Sequence, residues 1–135
     1  MPVTQTFTAS RNATWAPILV YPYPGAALPL TDATIAMQLR LYAGADGAAL
    51  LALANISFSD ALQSGTEGGD DEVRILTLDL GEGFTPTQLA ALPGLNTPEA
   101  GDDQSFAFDI RITYADGISE ILSSGTFTVS PGVTK

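Results

Sequence analysis

Residues 105–130 read SFAFDIRITYADGISEILSSGTFTVS. Phe106, Phe108, Ile110, Ile112 and Tyr114 hold every second position, with Ala107, Asp109, Arg111 and Thr113 between them. Successive side chains on a strand point to opposite faces, so this pattern describes one apolar and one wetter face of a sheet. Ala115-Asp116-Gly117 interrupts it, and an Asp-Gly pair accommodates the positive φ angles of a tight hairpin turn. The chain returns through Ile118 to Leu122, pauses at Ser123-Ser124-Gly125 and resumes from Thr126 to Ser130, where Phe127 and Val129 alternate. The whole stretch reads as a long hairpin of an antiparallel sheet.

The same period recurs upstream. Ile35, Met37, Leu39 and Leu41 alternate with Ala36, Gln38, Arg40 and Tyr42, and the matched spacing predicts that this set shares a core with Phe106, Phe108, Ile110 and Ile112. Val3 to Ala9 is a threonine-rich strand suited to a sheet edge, and the C-terminal strand to Ser130 is the other expected edge. Arg11 to Trp15 reads as a turn and Ala16 to Tyr21 as the second strand. Tyr21-Pro22-Tyr23-Pro24-Gly25 reads as a loop, because proline cannot donate to a sheet ladder. Asp46-Gly47 is a second tight-turn signal. Leu50-Leu51-Ala52-Leu53 and Ile56-Ser57-Phe58 read as short strands. Helical propensity competes over Ala48 to Ala54, but the run is short and closely flanked by turn residues.

Ser64 to Glu72 is glycine-rich and acidic, the composition of a surface loop. Val73 to Leu80 follows as a strand, with Leu76, Leu78 and Leu80 on one face and Val73 and Ile75 on the other. Thr85-Pro86-Thr87-Gln88 is a capping box that predicts one short helix, Pro86 to Leu92, stopped by Pro93-Gly94. Leu95 to Asp103 is a further acidic loop. About seven to nine short strands separated by turn signals predict an all-β antiparallel sandwich, residues 1–135 forming a single domain.

Composition bounds the chemistry. Hydrophobic residues make up 45% of the 135, enough for a real core. There is no cysteine, which removes disulfides, thiolate nucleophiles and thiolate zinc sites. There is no histidine, which removes the usual general base near neutral pH and the commonest metal ligand. Every serine therefore lacks the partner of a Ser-His triad. The net charge is −10 with five basic residues, so no basic patch for nucleic acid can form and anionic membrane surfaces repel the chain. No apolar run reaches the roughly 20 residues of a membrane span. Met1-Pro2-Val3-Thr4 lacks the charged and apolar regions of a signal peptide, so synthesis in the cytoplasm is expected. Asn12-Ala13-Thr14 and Asn55-Ile56-Ser57 match the glycosylation sequon, which without a secretory signal is read as chance.

Candidate sites are few. Glu67, Asp70, Asp71 and Glu72, then Glu99, Asp102 and Asp103, cluster carboxylates that could meet a calcium ion, but neither loop has EF-hand spacing and the preferred reading is a pair of solvated loops. No metal or cofactor is expected. Asp79 and Asp109 lie on strands where a glycosidase would need two carboxylates flanking a cleft. With Arg111, Arg40 and Arg74 also on strands, cross-strand ion pairing on an exposed face is the simpler reading. Gly65, Gly68 and Gly69 make no phosphate loop, since no lysine follows. Trp15, Tyr21, Tyr23 and Tyr42 are the candidate interface or ligand platform, because aromatics stack on sugars and anchor protein interfaces. For Trp15 a core plug is the better-supported alternative.

The order of motifs resembles a family of small phage and prophage virion proteins. Arg11-Asn12-Ala13-Thr14-Trp15 resembles its Arg-Gly-Asp-Thr-type turn, with Asn12 and Ala13 in place of the glycine and aspartate. Leu30-Thr31-Asp32-Ala33-Thr34-Ile35 with Met37, Leu39 and Arg40 resembles one of its strands, and Thr85 to Gly94 its short Thr-x-x-Leu-x-x-Leu-x-x-Gly helix. Phe106 to Thr113, Asp116-Gly117, Gly125-Thr126 and Val129 to Thr134 resemble its closing hairpin. Leu95 to Asp103 is an insertion relative to that pattern. The resemblance implies an Ig-like β-sandwich of the tail, baseplate or head-joining region, not an enzyme. It implies residence in the virion after synthesis in the bacterial host cytoplasm. It also implies partners among the other virion proteins, with homo-oligomers allowed; the charge balance is what argues against nucleic acid and membrane as partners. The alternative of another class is a carbohydrate-binding β-sandwich module.

Overall fold

The alternation at 106–114 becomes β7 (Gln104–Thr113), and the return strand is β8 (Ser119–Ser130). The computed structural model describes residues 3–10, 13–42, 44, 49–92 and 104–130. The Asp46-Gly47 turn, the Pro93-Gly94 helix stop, the acidic loop and insertion Leu95 to Asp103 and the tail Pro131 to Lys135 lie outside the described residues. The remaining elements are β1 (Val3–Ser10), β2 (Ile18–Pro24), β3 (Thr34–Arg40), β4 (Leu51–Leu53), β5 (Ser57–Ser64), β6 (Val73–Asp79) and α1 (Pro86–Ala90).

The hairpin turn forms as its residues dictate. Gly117 takes φ 91° and donates its amide to the Tyr114 carbonyl at 2.9 Å. The Asp116 carboxylate accepts the Ile118 amide at 3.0 Å, fixing the turn from the side. β3 lies antiparallel on the other side of β7, with Ile35 opposite Ile112, Met37 opposite Ile110 and Leu39 opposite Phe108. All six side chains are buried, as the matched periods require. Leu41, just past the end of β3, is partly buried and packs against the same core.

The sheet orders are β1-β8-β7-β3-β4 and β2-β6-β5. Packed face to face, they form a sandwich around one cluster of buried side chains. β2, β6 and β5 on one side with β3, β7 and β8 on the other is the immunoglobulin-like arrangement. One pairing departs from a purely antiparallel sandwich: β1 runs parallel to β8, with Val3 opposite Ser123 through Ser10 opposite Ser130. β8 is therefore an inner strand, not the edge expected for it, while β1 is an edge as its threonine-rich pattern suggested.

Three local expectations are corrected. The segment Tyr21 to Pro24 is not loop but the second half of β2. β2 is an edge strand, and the Gly25 amide donates to the Glu72 carbonyl of the β6 side at 2.9 Å. Strand alternation then turns Pro22 and Pro24 toward the free edge, where a missing N–H costs no ladder bond. The pause at Ser123-Ser124-Gly125 is also absent. β8 is continuous, and the register passes from Ile110–Ser123 to Arg111–Ile121, leaving Leu122 as the extra residue of a bulge. Finally, α1 ends at Ala90 rather than Leu92. Its capping box is as predicted, with Gln88 N donating to Thr85 Oγ1 at 3.2 Å and Thr85 N to Gln88 Oε1 at 2.9 Å. Leu89 and Leu92 anchor it in the core.

Candidate functional site

The charged residues most withdrawn from solvent converge on Arg74. Its Nε donates to Asp60 Oδ2 at 2.7 Å and its Nη1 to Glu72 Oε2 at 2.9 Å, with side chains 9%, 8% and 3% exposed respectively. Glu67, exposed, approaches at 3.8 Å. Tyr23 Oη donates to the second oxygen of Asp60 at 2.6 Å and accepts the Leu28 amide at 3.3 Å. The Gly68 amide donates to the second oxygen of Glu72 at 3.2 Å. The cluster thus ties β2, β5, β6 and the loops at 25–33 and 65–72 together. Glu72, then Asp60, hold the guanidinium proton more tightly than usual. Burial and the Asp60 hydrogen bond push the Tyr23 phenol up. An arginine that holds its proton, facing carboxylates whose oxygens are all engaged by hydrogen-bond donors, is a clamp between these segments.

This cluster corrects two expectations. Arg74 is not on an exposed face: it shares the inward register of Leu76 and Leu78. Glu72 is not a solvated loop residue. A charge in the inward parity of a strand was the visible signal. Asp60 carried no such signal, because β5 extends well past the expected Phe58.

The other candidate carboxylates do not meet. Asp79 ends β6 on the outer face of the three-stranded sheet, where it accepts the Gly81 amide at 2.9 Å. Asp109 lies on the outer face of the five-stranded sheet, paired in register with Gln38, so the two aspartates occupy opposite faces of the sandwich. In the 65–72 loop, Asp71 accepts the Thr66 amide at 3.2 Å, and no group of three possible ligands able to hold a metal exists among the described residues.

The four aromatics are not brought together. Trp15 is 9% exposed, stacked on Phe84 at 5.7 Å and edge-on to Phe127 at 4.8 Å. Reciprocal backbone hydrogen bonds of 2.9 Å between Trp15 and Phe84 hold the pair. Tyr21 and Tyr23 are also buried, and Tyr21 Oη donates to Gln5 Oε1 at 2.9 Å. Burial pushes the Tyr21 phenol up. Tyr42 alone of the four is exposed, at 60%. Buried ring faces cannot stack on a ligand, and Trp15 is the core plug that its position after a turn suggested.

The outer face of the five-stranded sheet carries a shallow groove of about 360 Å³ between Gln38, Arg40, Asp109, Ile121, Ser124 and Gly125. It offers hydrogen-bonding groups without a histidine, cysteine or activated hydroxyl. At the rim of the same sheet, the free edge of β1 has no neighbouring strand among the described residues. No protein-family model matches the chain, and no curated protein matches it in sequence.

Proposed function

We propose that this protein is a structural component of a phage or prophage virion, of the tail, baseplate or head-joining kind, that acts by protein–protein assembly. The observation that carries the reading is the pairing of an exposed, regular edge strand, β1, with a scaffold whose buried charges are all engaged with one another. Sheet edges present unpaired backbone groups that a partner can use. The motif order that resembles small virion proteins supports the same reading, as does the absence of histidine and cysteine. Of the four aromatics that the sugar-binding alternative invokes, Trp15, Tyr21 and Tyr23 are enclosed and Tyr42 is exposed, which favours assembly over a stacking platform.

The test is co-expression with the products of neighbouring genes, followed by affinity purification. Stoichiometric recovery of tail, baseplate or connector proteins is the expected result. A chain that recovers none of them and instead binds a polysaccharide by calorimetry would overturn the reading.

A further inference from the structure

Among the described residues the sandwich has four strand edges, and three carry a device against strand addition. β2 turns Pro22 and Pro24 outward, β4 is three residues long, and β5 has an inward charge, Asp60, and a register irregularity between Leu62 and Ser64. β1 has none of these. Its eight residues, VTQTFTAS, contain no proline and no charge, and the register with β8 is unbroken. A side chain at Gly125 would overlap the Gln5 carbonyl, so that carbonyl faces β8. The Ala9 carbonyl faces the same way, accepting Ser130 Oγ at 3.3 Å. Alternation therefore aims the amides and carbonyls of Thr4, Thr6 and Thr8 at the free edge.

We infer that β1 pairs antiparallel with β1 of a second copy about a twofold axis at Thr6, joining two five-stranded sheets into one. This rests on the assembly reading and specifies one of its contacts. In that register Thr6 faces Thr6 and Thr4 faces Thr8, and each such hydrogen-bonded pair exchanges two backbone bonds. Paired threonines also suit a shared sheet face. Charge selects the occupant. The chain carries a net −10, yet Val3–Ser10 and residues 121–130 of the adjoining β8 hold no charged residue. Two copies can abut here without opposing carboxylates, whereas a basic arm from another protein finds no carboxylate on β1 or on residues 121–130 to meet. A twofold contact closes on itself and leaves no further β1 edge exposed.

The test uses the full chain. Light scattering is expected to give a dimer mass. Thr6→Lys, at an exposed position, sets two ammonium groups against each other across the axis and is expected to halve that mass while the circular-dichroism spectrum of the folded chain is kept. Thr6→Cys provides the chain's only thiol, and hydrogen-bonded pairs bring α-carbons to about 5.5 Å, within disulfide range. It is expected to oxidise to a covalent dimer faster than Ile118→Cys, placed at the 59%-exposed hairpin tip. A monomer at every concentration, a dimer that survives Thr6→Lys, or equal oxidation rates would each overturn the inference. A monomer that still recovers virion proteins on co-purification overturns the β1 pairing and leaves the assembly reading standing. A Thr6-dependent dimer that recovers none supports the pairing while counting against that reading.

Discussion

Arg74 shows how one residue can hold several elements at once. Removing it would leave Asp60 and Glu72 facing each other without their shared cation, while their other contacts hold them in place. Arg74→Ala is therefore expected to lower the melting temperature sharply, and Arg111→Ala, on an exposed position of β7, to leave it nearly unchanged. Thermal melting of both variants compares a buried cation with a surface one. Tyr114 makes a pH prediction. Burial first, then the negative Glu120 beside it, push its phenol up to about 12 from the usual 10. Tyr114 Oη donates to Glu120 Oε2 at 3.2 Å, a bond that needs the neutral phenol. The folded state thus holds this proton more tightly than the unfolded chain. The associated stability is fully present below pH 10 and is lost as pH rises toward 12. Denaturant melts across that window should fall for the wild type and fall less for Tyr114→Phe.

Among the elements, β7 is the central one, flanked by β3 and β8. Phe108, at its middle, is 5% exposed and its ring lies 4.8 Å from Phe7. Phe108→Ala is expected to cost about 3–5 kcal/mol in denaturant unfolding, the range for emptying a phenylalanine site in a packed core. The β1–β8 contact has a narrower requirement. Gly125 adopts φ 150° and lies directly against the Gln5 backbone, so any β-carbon would drive the strands apart. Gly125→Ala is expected to release β1, read as faster amide exchange at Gln5, Phe7 and Ala9 while the β3–β7 amides stay protected. Protection of β1 equal to wild type would contradict this account. The glycine was visible as a break in the alternation of residues 119–130. Its cause was not, because the partner strand lies more than a hundred residues away in sequence, in a parallel pairing that no local turn announces.

For the whole molecule, the high negative charge coexists with little focused carboxylate among the described residues. Where carboxylates do converge, the Arg74 guanidinium occupies the space between them. Chelator treatment is accordingly expected to leave the melting temperature unchanged, and calcium to restore nothing. A fall on chelation that calcium reverses would show that a cation completes the fold.

By itself, the sequence determined the strands with strict period-2 alternation, the Asp116-Gly117 hairpin, the capped helix and the inward set from Ile35, Met37 and Leu39 to Phe106, Phe108, Ile110 and Ile112. These follow from local geometry: a strand alternates every residue, a turn needs a particular φ, and a cap needs an oxygen at a set spacing. Only the tertiary structure decided the rest. Pro22 and Pro24 could belong to a strand because β2 turned out to be an edge. Arg74 and Glu72 could be buried because Asp60, Tyr23 and the Gly68 amide arrive from other segments to satisfy them. Among the described residues, β1 became the one long edge without proline, charge or irregularity, because β8 is enclosed on both sides. In each case the outcome depended on which distant backbone or side chain lay alongside, and residue-by-residue propensity carries no term for that neighbour.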